Sequence, residues 1–241
     1  MDNTVKEPLI HLSKREDISF GKKWLVRIIA ILLSLIVCAG FIFIIIKMNP
    51  VEVYEGIVEG AVGTGRRFWV TARDALTLLC VAVAVTPAFK MKFWNIGAEG
   101  QILMGCVASA AMMIYAGNAL PTGLLLVLMF VCSFIAGGIW GIIPAFFKAR
   151  WNTNETLFTL MLNYVAMQVV TFCIVYWENP AGSNSVGIIN APTRAGWLPQ
   201  LFGLDYGWNL AIVLLLTVLM FIYMKRTKHG YEIAVVGESE N

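Results

Sequence analysis

An all-α fold, a polytopic transmembrane helical bundle of about six spans with one amphipathic interfacial helix and a broken helix near residues 95–101, is what this sequence predicts. Three observations predict it. Of 241 residues, 59% are hydrophobic and only 14% are charged, a balance that a soluble domain does not carry. The apolar residues fall in blocks long enough to cross a bilayer, separated by basic or Gly/Pro-rich stretches. The run Phe93-Trp94-Asn95-Ile96-Gly97-Ala98-Glu99-Gly100-Gln101 drops a carboxylate, two amides and two glycines into such a block. A charge inside a membrane helix costs about 2.5–3.5 kcal/mol, and unwound backbone survives at that depth only beside protein or a water-filled cavity. The run therefore predicts a pathway or a buried polar contact, with Glu99 turned away from lipid and Asn95 or Gly97 at the break.

The first span is Leu25–Ile46, whose helix rises about 33 Å against a ~30 Å hydrocarbon core. It is too long for a signal-peptide core and stays as an anchor. Over Val51–Val70, Val51, Tyr54, Val58 and Ala61 recur at helical spacing while Glu52, Glu55 and Glu59 take the other side. That pattern fits an amphipathic helix in the membrane interface, or a surface helix packed on its own bundle. Further spans are expected at 75–89, 93–117, 121–147, 156–177 and 208–224; the first of these is short and carries Pro87, so it begins before Asp74 or enters tilted. Gly137, Gly138 and Gly141 permit close helix approach.

Six spans put both ends on one side. With the N-terminus inside, thirteen of the 18 basic residues fall on inner segments, leaving Lys47, Arg66, Arg67, Arg73 and Arg194 outside. The positive-inside rule then makes the termini cytoplasmic. The loop 178–207, rich in Gly, Pro, Asn and Ser, is expected outside with little regular structure. A net charge of +3 gives no reason to expect nucleic acid as a partner. The five cysteines lie in apolar blocks without CxxC or metal-ligand spacing, so they predict packing residues; with His11 and His229 in polar flanks, neither a metal nor a cofactor is expected.

Polar residues inside the spans form three groups. Asn95 and Glu99 share a helical face, with Glu99 about 10 Å deeper than Lys92. Glu99 reads equally as helix–helix glue and as part of a pathway. Glu155, Thr159 and Asn163 also share a face; Asn152 with Glu155 makes a start like a capping box. Asn163, about 12 Å inside that helix, is too deep to cap it and makes an interhelical hydrogen bond or a substrate contact. The third group is the tail from Lys225, where a basic flank precedes apolar Tyr231, Ile233, Val235 and Val236. Gly230 and Gly237 are expected to turn the chain at either end of a short helix.

Together these stretches resemble the permease subunits of bacterial ABC importers, in the branched-chain amino acid and simple-sugar branch, nearest the nucleoside-type members. Phe93–Gln101 resembles their FNIGAEGQ motif, with Trp94 as an extra aromatic. Trp140-Gly141-Ile142-Ile143-Pro144 with Lys148-Ala149-Arg150 is similar to WGxIPgxxKAR. Asn154–Tyr164 resembles NEVxxTLMLNYIA, with Thr156 and Leu157 in place of the usual aliphatic pair. Thr227, Gly230, Tyr231, Ile233, Val236 and Gly237 lie in a segment similar to the T-x-x-G…AVG stretch that contacts the ATPase.

The resemblance implies a cytoplasmic tail over 1–24, a permease domain over 25–224 and an ATPase-coupling segment over 225–241. Such permeases continue past this point through a double alanine and further spans. The chain is therefore expected to be an N-terminal part of a longer permease. Implied partners are a cytoplasmic ABC ATPase, a second homologous permease, an extracytoplasmic substrate-binding (lipo)protein and membrane lipid, in a bacterial cell membrane. The chain has no G-x-x-x-x-G-K-[ST] loop, so ATP hydrolysis belongs to a partner and this subunit is not expected to be an enzyme. Alternating access would carry a small molecule, a nucleoside or alternatively a simple sugar, past neutral donors and acceptors such as Asn95, Gln101, Thr159 and Asn163. An ion-coupled secondary transporter would show an inverted repeat or an intramembrane Asp–Lys pair. A membrane-embedded transferase would show clustered carboxylates or a metal set.

Overall fold

The computed structural model describes residues 19–201, 203 and 206–238, all helix and loop with no strand among them. Eight α-helices follow in order: α1 (Phe20–Phe41), α2 (Pro50–Val62), α3 (Gly65–Lys90), α4 (Ala98–Ala116), α5 (Thr122–Trp151), α6 (Glu155–Tyr176), α7 (Gly207–Arg226) and α8 (Lys228–Glu238). Six stretches, α1 extended to Ile46 and then α3 to α7, are long and apolar enough to cross a membrane. The chain divides into two units, 1–71 and 72–241.

In the first unit α1 begins five residues before the expected Leu25 and ends in a π-helical turn, Ile42–Ile46, closed by Lys47 in the left-handed region. Asn49 then caps α2, its side chain accepting from the Val51 N–H, with Pro50 at the first helical position where a missing N–H costs nothing. The Tyr54 hydroxyl donates to the Leu35 carbonyl across 2.6 Å and ties α2 to α1. The expected helix Val51–Val70 is in fact two. It breaks at Gly63–Thr64, and residues from Gly65 start the second span, which runs straight through Asp74 and tolerates Pro87 in its last turn. The span expected at 75–89 is thus ten residues longer at its start.

In the second unit α4 is the central element and packs chiefly on α5 and then on α6, while α7 packs on α8. Few side chains are buried among the described residues: Leu125, Pro144, Ala166, Ala195 and Val213 among apolar residues, Thr159 and Asn163 among polar ones. Large apolar side chains such as Ile142, Leu78 and Phe172 point outward, as a lipid-facing surface requires. Lipid tails are as apolar as leucine, so burial of oil against oil gives these helices no reason to associate. Small residues and hydrogen bonds supply the reason instead. Beside Gly105 and Gly137 the backbones of α4 and α5 approach so closely that a Cβ on Gly137 would stand 3.1 Å from the Gln101 carbonyl.

The interruption expected inside a span at 95–101 is instead the reversal between α3 and α4. Residues 91–97 are non-helical, Lys92 has a positive φ, and Ala98 to Gln101 already belong to α4. The span therefore starts at Ala98 and not at Phe93. At the next corner Asn152 is not an N-cap. It sits in the left-handed region as the C-cap of α5, and Asn154 caps α6 by accepting from the Leu157 N–H. Gly230 and Gly237 likewise lie within α8, both buried, and turn nothing. A Cβ on Gly230 would strike the carbonyls of Tyr223 and Met224 on α7, and one on Gly237 the Lys90 carbonyl, so both serve close approach.

Candidate functional site

The nine residues from Phe93 to Gln101 place two different surfaces on α4. The first faces α6. Asn95 folds the reversal by accepting from the Gly97 N–H at 3.0 Å, and Gly97 is the N-cap of α4 with no side chain to offer. The start of any helix leaves N–H groups without partners. Here Asn163 of α6 supplies one from outside: its Oδ1 accepts from the Gly100 N–H at 2.9 Å, and its Nδ2 donates to the Ile96 carbonyl at 3.0 Å. Asn163, too deep to cap its own helix, caps another.

The two glycines make this possible. A Cβ on Gly97 would come within 2.9 Å of Thr159 Cβ, and one on Gly100 within 2.8 Å of Asn163 Oδ1. Thr159 is fully buried and returns its hydroxyl to the Glu155 and Thr156 carbonyls at 2.7 and 3.2 Å. Lys148 of α5 closes the corner with an ion pair to Glu155, Nζ to Oε2 3.0 Å. The indole N–H of Trp140 and the hydroxyl of Thr153, both buried near this corner, have no partner among the described residues.

The second surface faces α3 and α5 across an open cavity of about 790 Å³. Asn95 and Gln101 line it at the end near the reversal, Ser109 and Ser133 line it higher up, and Phe130 and Phe134 of α5 form apolar wall. No charged side chain is among its lining residues. The Ser133 hydroxyl donates to the Gly105 carbonyl at 2.9 Å and is hydrogen-bonded to the Ser109 hydroxyl. The side-chain amide of Gln101 has no hydrogen-bond partner among the described residues, and neither has Asn95 Nδ2.

Of the five residues expected along a pathway, the structure brings Asn95 and Gln101 into this cavity. Thr159 and Asn163 lie instead in the α4–α6 seam, their hydrogen-bonding groups taken by backbone. Glu99 is not buried among helices; it is exposed in the first turn of α4, without an ion pair among the described residues. A lone carboxylate that the fold does not pair has to meet water or another chain, since lipid would reject it.

Two features escaped the reading of the sequence. One is the serine pair, which looks like ordinary small-residue packing in an apolar run. The other is the loop from 177 to 201, which has little regular structure, as expected, yet is docked by specific contacts. Asn190 Nδ2 donates to the Met113 and Ala195 carbonyls at 2.8 and 3.1 Å, and Trp177 Nε1 donates to the Tyr115 hydroxyl at 2.8 Å. Gly196, at φ +80°, packs on Met113, Met129 and Leu125, and Ile189 reaches the cavity lining. The signal available in the sequence was only an Asn and a Gly six residues apart, residue types that tolerate the left-handed turns found at Asn190 and Gly196.

At the other end of the unit Thr227 joins α7 to α8. Its hydroxyl donates to the Tyr223 carbonyl at 2.7 Å and accepts from the Gly230 N–H at 3.1 Å, an N-cap for α8. Lys228 and His229 lie beside Glu232. Tyr231, Val235 and Val236 are exposed, whereas Ile233 is half-buried.

Residues 69–241 match the family described as branched-chain amino acid transport system / permease component. The chain is 29% identical over 226 residues to the nucleoside ABC transporter permease protein NupB of Lactococcus lactis, covering 90% of this chain and 61% of that protein. It is 29% identical over 224 residues to the guanosine ABC transporter permease protein NupP of Bacillus subtilis, with 90% and 62% covered. To the glucose ABC transporter permease protein TsgB13 of Haloferax volcanii it is 27% identical over 224 residues, with 86% and 57% covered. The chain thus spans about three fifths of the length of these relatives. No solved structure matches it.

Proposed function

This chain belongs to the branched-chain amino acid transport permease family, and from that premise we propose that it is the membrane subunit of an ATP-driven importer of neutral polyhydroxylated solutes, nucleosides before simple sugars. One observation carries the reading: the cavity beside α4 is a largely apolar wall, with two phenylalanines, into which two amides and two hydroxyls are set, and no charge is among its lining residues. An amino acid carries an ammonium and a carboxylate, and each would lose its hydration there with no opposite charge to replace it. A nucleoside or a sugar brings hydroxyls and base or ring edges that amides and hydroxyls satisfy, and flat apolar faces that suit aromatic rings. Two relatives named for nucleosides favour that class; the glucose permease keeps sugars as the second reading.

Asn95 and Gln101 contact the solute in this reading. Asn163 and Thr159 hold the reversal that presents them, and Glu99 lies at the water-filled inner mouth. The basic end of the unit, with Lys90, Lys92, Lys148, Arg150, Lys225 and Arg226, faces the cytoplasm. There α8 offers Tyr231, Val235 and Val236, all exposed, to a cytoplasmic ATPase, while Thr227, Gly230, Ile233 and Gly237 shape the helix and its seat. Movement of α8 passes to α7 and to the end of α3, which walls the cavity. The loop 178–207 faces the binding protein, and a second homologous permease completes the membrane part. The N-terminus is cytoplasmic.

The test is reconstitution of the full-length permease with its ATPase and binding protein in liposomes, offered labelled guanosine, glucose and leucine. ATP-dependent uptake of guanosine is expected; uptake of leucine alone would overturn the neutral-solute reading. In the same complex Val235→Asp is expected to leave ATP hydrolysis running while uptake falls at least about tenfold. Cysteines placed in 178–207 are expected to react with impermeant reagents in intact cells, and one at Lys228 is not.

A further inference from the structure

We infer that Ser109 is a specificity-determining contact that accepts a hydrogen bond from the solute, and that Ser133 sets its polarity. The inference rests on the cavity being the transport pathway. A serine hydroxyl has one proton to give and two lone pairs to receive. Ser133 gives its proton to the Gly105 carbonyl, because a carbonyl cannot donate. In the bond between the two hydroxyls Ser133 can then only accept, so Ser109 must be the donor. Ser109 has no proton left. The oxygen left with lone pairs only belongs to a residue that lines the cavity, on a stretch of α4 whose other lining residues, Cys106, Ala110 and Met113, carry neither hydroxyl nor amide.

A solute hydroxyl or N–H satisfies that oxygen. A carbonyl, ether or carboxylate oxygen in the same place meets an acceptor with an acceptor, and an uncharged apolar wall offers nothing to relieve it. The two ends of the cavity therefore differ. Near the reversal the Gln101 amide offers both a donor and an acceptor and Asn95 Nδ2 a donor, whereas Ser109 offers only an acceptor. The solute group that sits at Ser109 must be a hydroxyl or N–H, while the other end takes donors and acceptors alike. A simple helix-to-helix clamp would not need this arrangement, since the Ser133–Gly105 bond already joins α4 to α5.

The experiment uses the full-length permease with its ATPase and binding protein, and two solute series: guanosine with its 2′-, 3′- and 5′-deoxy analogues, and glucose with its 2-, 3- and 6-deoxy analogues. The series that the native transporter takes up gives the readout. One deoxy analogue is expected to be taken up about tenfold less well than its parent, the worth of one neutral hydrogen bond. Ser109→Ala is expected to bring the parent down to that analogue's level and to erase the difference, while Ser109→Thr keeps it. If Ser109→Ala fails to assemble, Ser109→Cys, with a weakly accepting sulfur, is read the same way. An unchanged ranking of analogues in the Ala or Cys variant would overturn the assignment and leave Ser109 a packing residue.

Cys80 and Cys106 separate that failure from failure of the pathway reading, because both line the same cavity. With Cys38, Cys132, Cys173 and every cysteine of the permease beyond residue 241 replaced by alanine, and with cysteine-free ATPase and binding protein, methyl methanethiosulfonate is expected to block uptake, and the parent solute to protect. Block and protection with an unchanged ranking would remove Ser109 alone. Uptake indifferent to the reagent, or absent for both series, would overturn the pathway reading and the assignment with it.

Discussion

The two faces of α4 use the same kinds of residue for opposite ends. Toward α6, Gly97 and Gly100 let Thr159 and Asn163 come so close that the hydrogen-bonding groups of both are taken by backbone, although the Trp140 indole N–H beside Gly100 has no partner among the described residues. Toward α3 and α5, Gln101 and the serine pair keep hydrogen-bonding capacity unused beside an open cavity. A polar residue in a membrane helix is costly wherever it stands, so its presence alone does not separate glue from site. The separation comes from counting donors and acceptors. A saturated group holds helices together; an unsaturated one beside a cavity is available to a solute.

The contrast breaks most visibly at Gly100. Gly100→Leu would drive its side chain into Asn163 and Trp140, and is expected to cost at least about 3 kcal/mol through overpacking and the lost cap, read as collapse of the melting transition in detergent. Gly138, which meets nothing within 4 Å, gives the control: Gly138→Ala is expected to leave that transition in place or to raise it slightly. Next comes Asn163→Leu, which strands the Gly100 N–H and the Ile96 carbonyl together. A loss of about 2–3 kcal/mol is expected, and Asn163→Asp, which keeps the acceptor toward Gly100 but sets an oxygen against the Ile96 carbonyl, should lose at least as much at pH 7 and less as acid protonates the carboxylate.

On the cavity face the order of effects reverses. Gln101→Leu is expected to lower uptake about tenfold with a melting transition shifted by less than about 0.5 kcal/mol, because no protein group depends on that amide. A destabilisation as large as that of Asn163→Leu would mean that the two faces do not differ. The smallest effect is expected from Lys148→Met. Its ion pair with Glu155 stands at the end of α5 with Lys148 about one-third exposed, where such pairs contribute less than about 1 kcal/mol and weaken with salt. Melting with and without added salt measures it.

Much of this was legible from residues alone, for reasons that are local. The apolar blocks gave six spans in the right order because a bilayer demands about 20 apolar residues per crossing and backbone bonds closed within the helix. Their ends drifted where composition changes gradually, as before Leu25 and between Val62 and Asp74, since helix continues into polar residues until a cap or glycine stops it. Asn154 rather than Asn152 capping α6 was a choice between two good caps two residues apart, settled by Asn152 taking the left-handed turn that ends α5.

The sequence by itself determined the class of molecule, its family motifs and the places where polar groups enter the membrane. Only the tertiary structure decided what each polar group does there. Asn163 and Gln101 are both side-chain amides in motif stretches, and nothing in either stretch says which is saturated. Asn163 meets the uncapped start of a helix more than sixty residues earlier in the chain, and Gln101 meets a glycine of α5 and a cavity. Hydrogen bonding is short-ranged and directional, so the use of a donor is fixed by which neighbour the fold brings within about 3 Å, and that neighbour is remote in sequence.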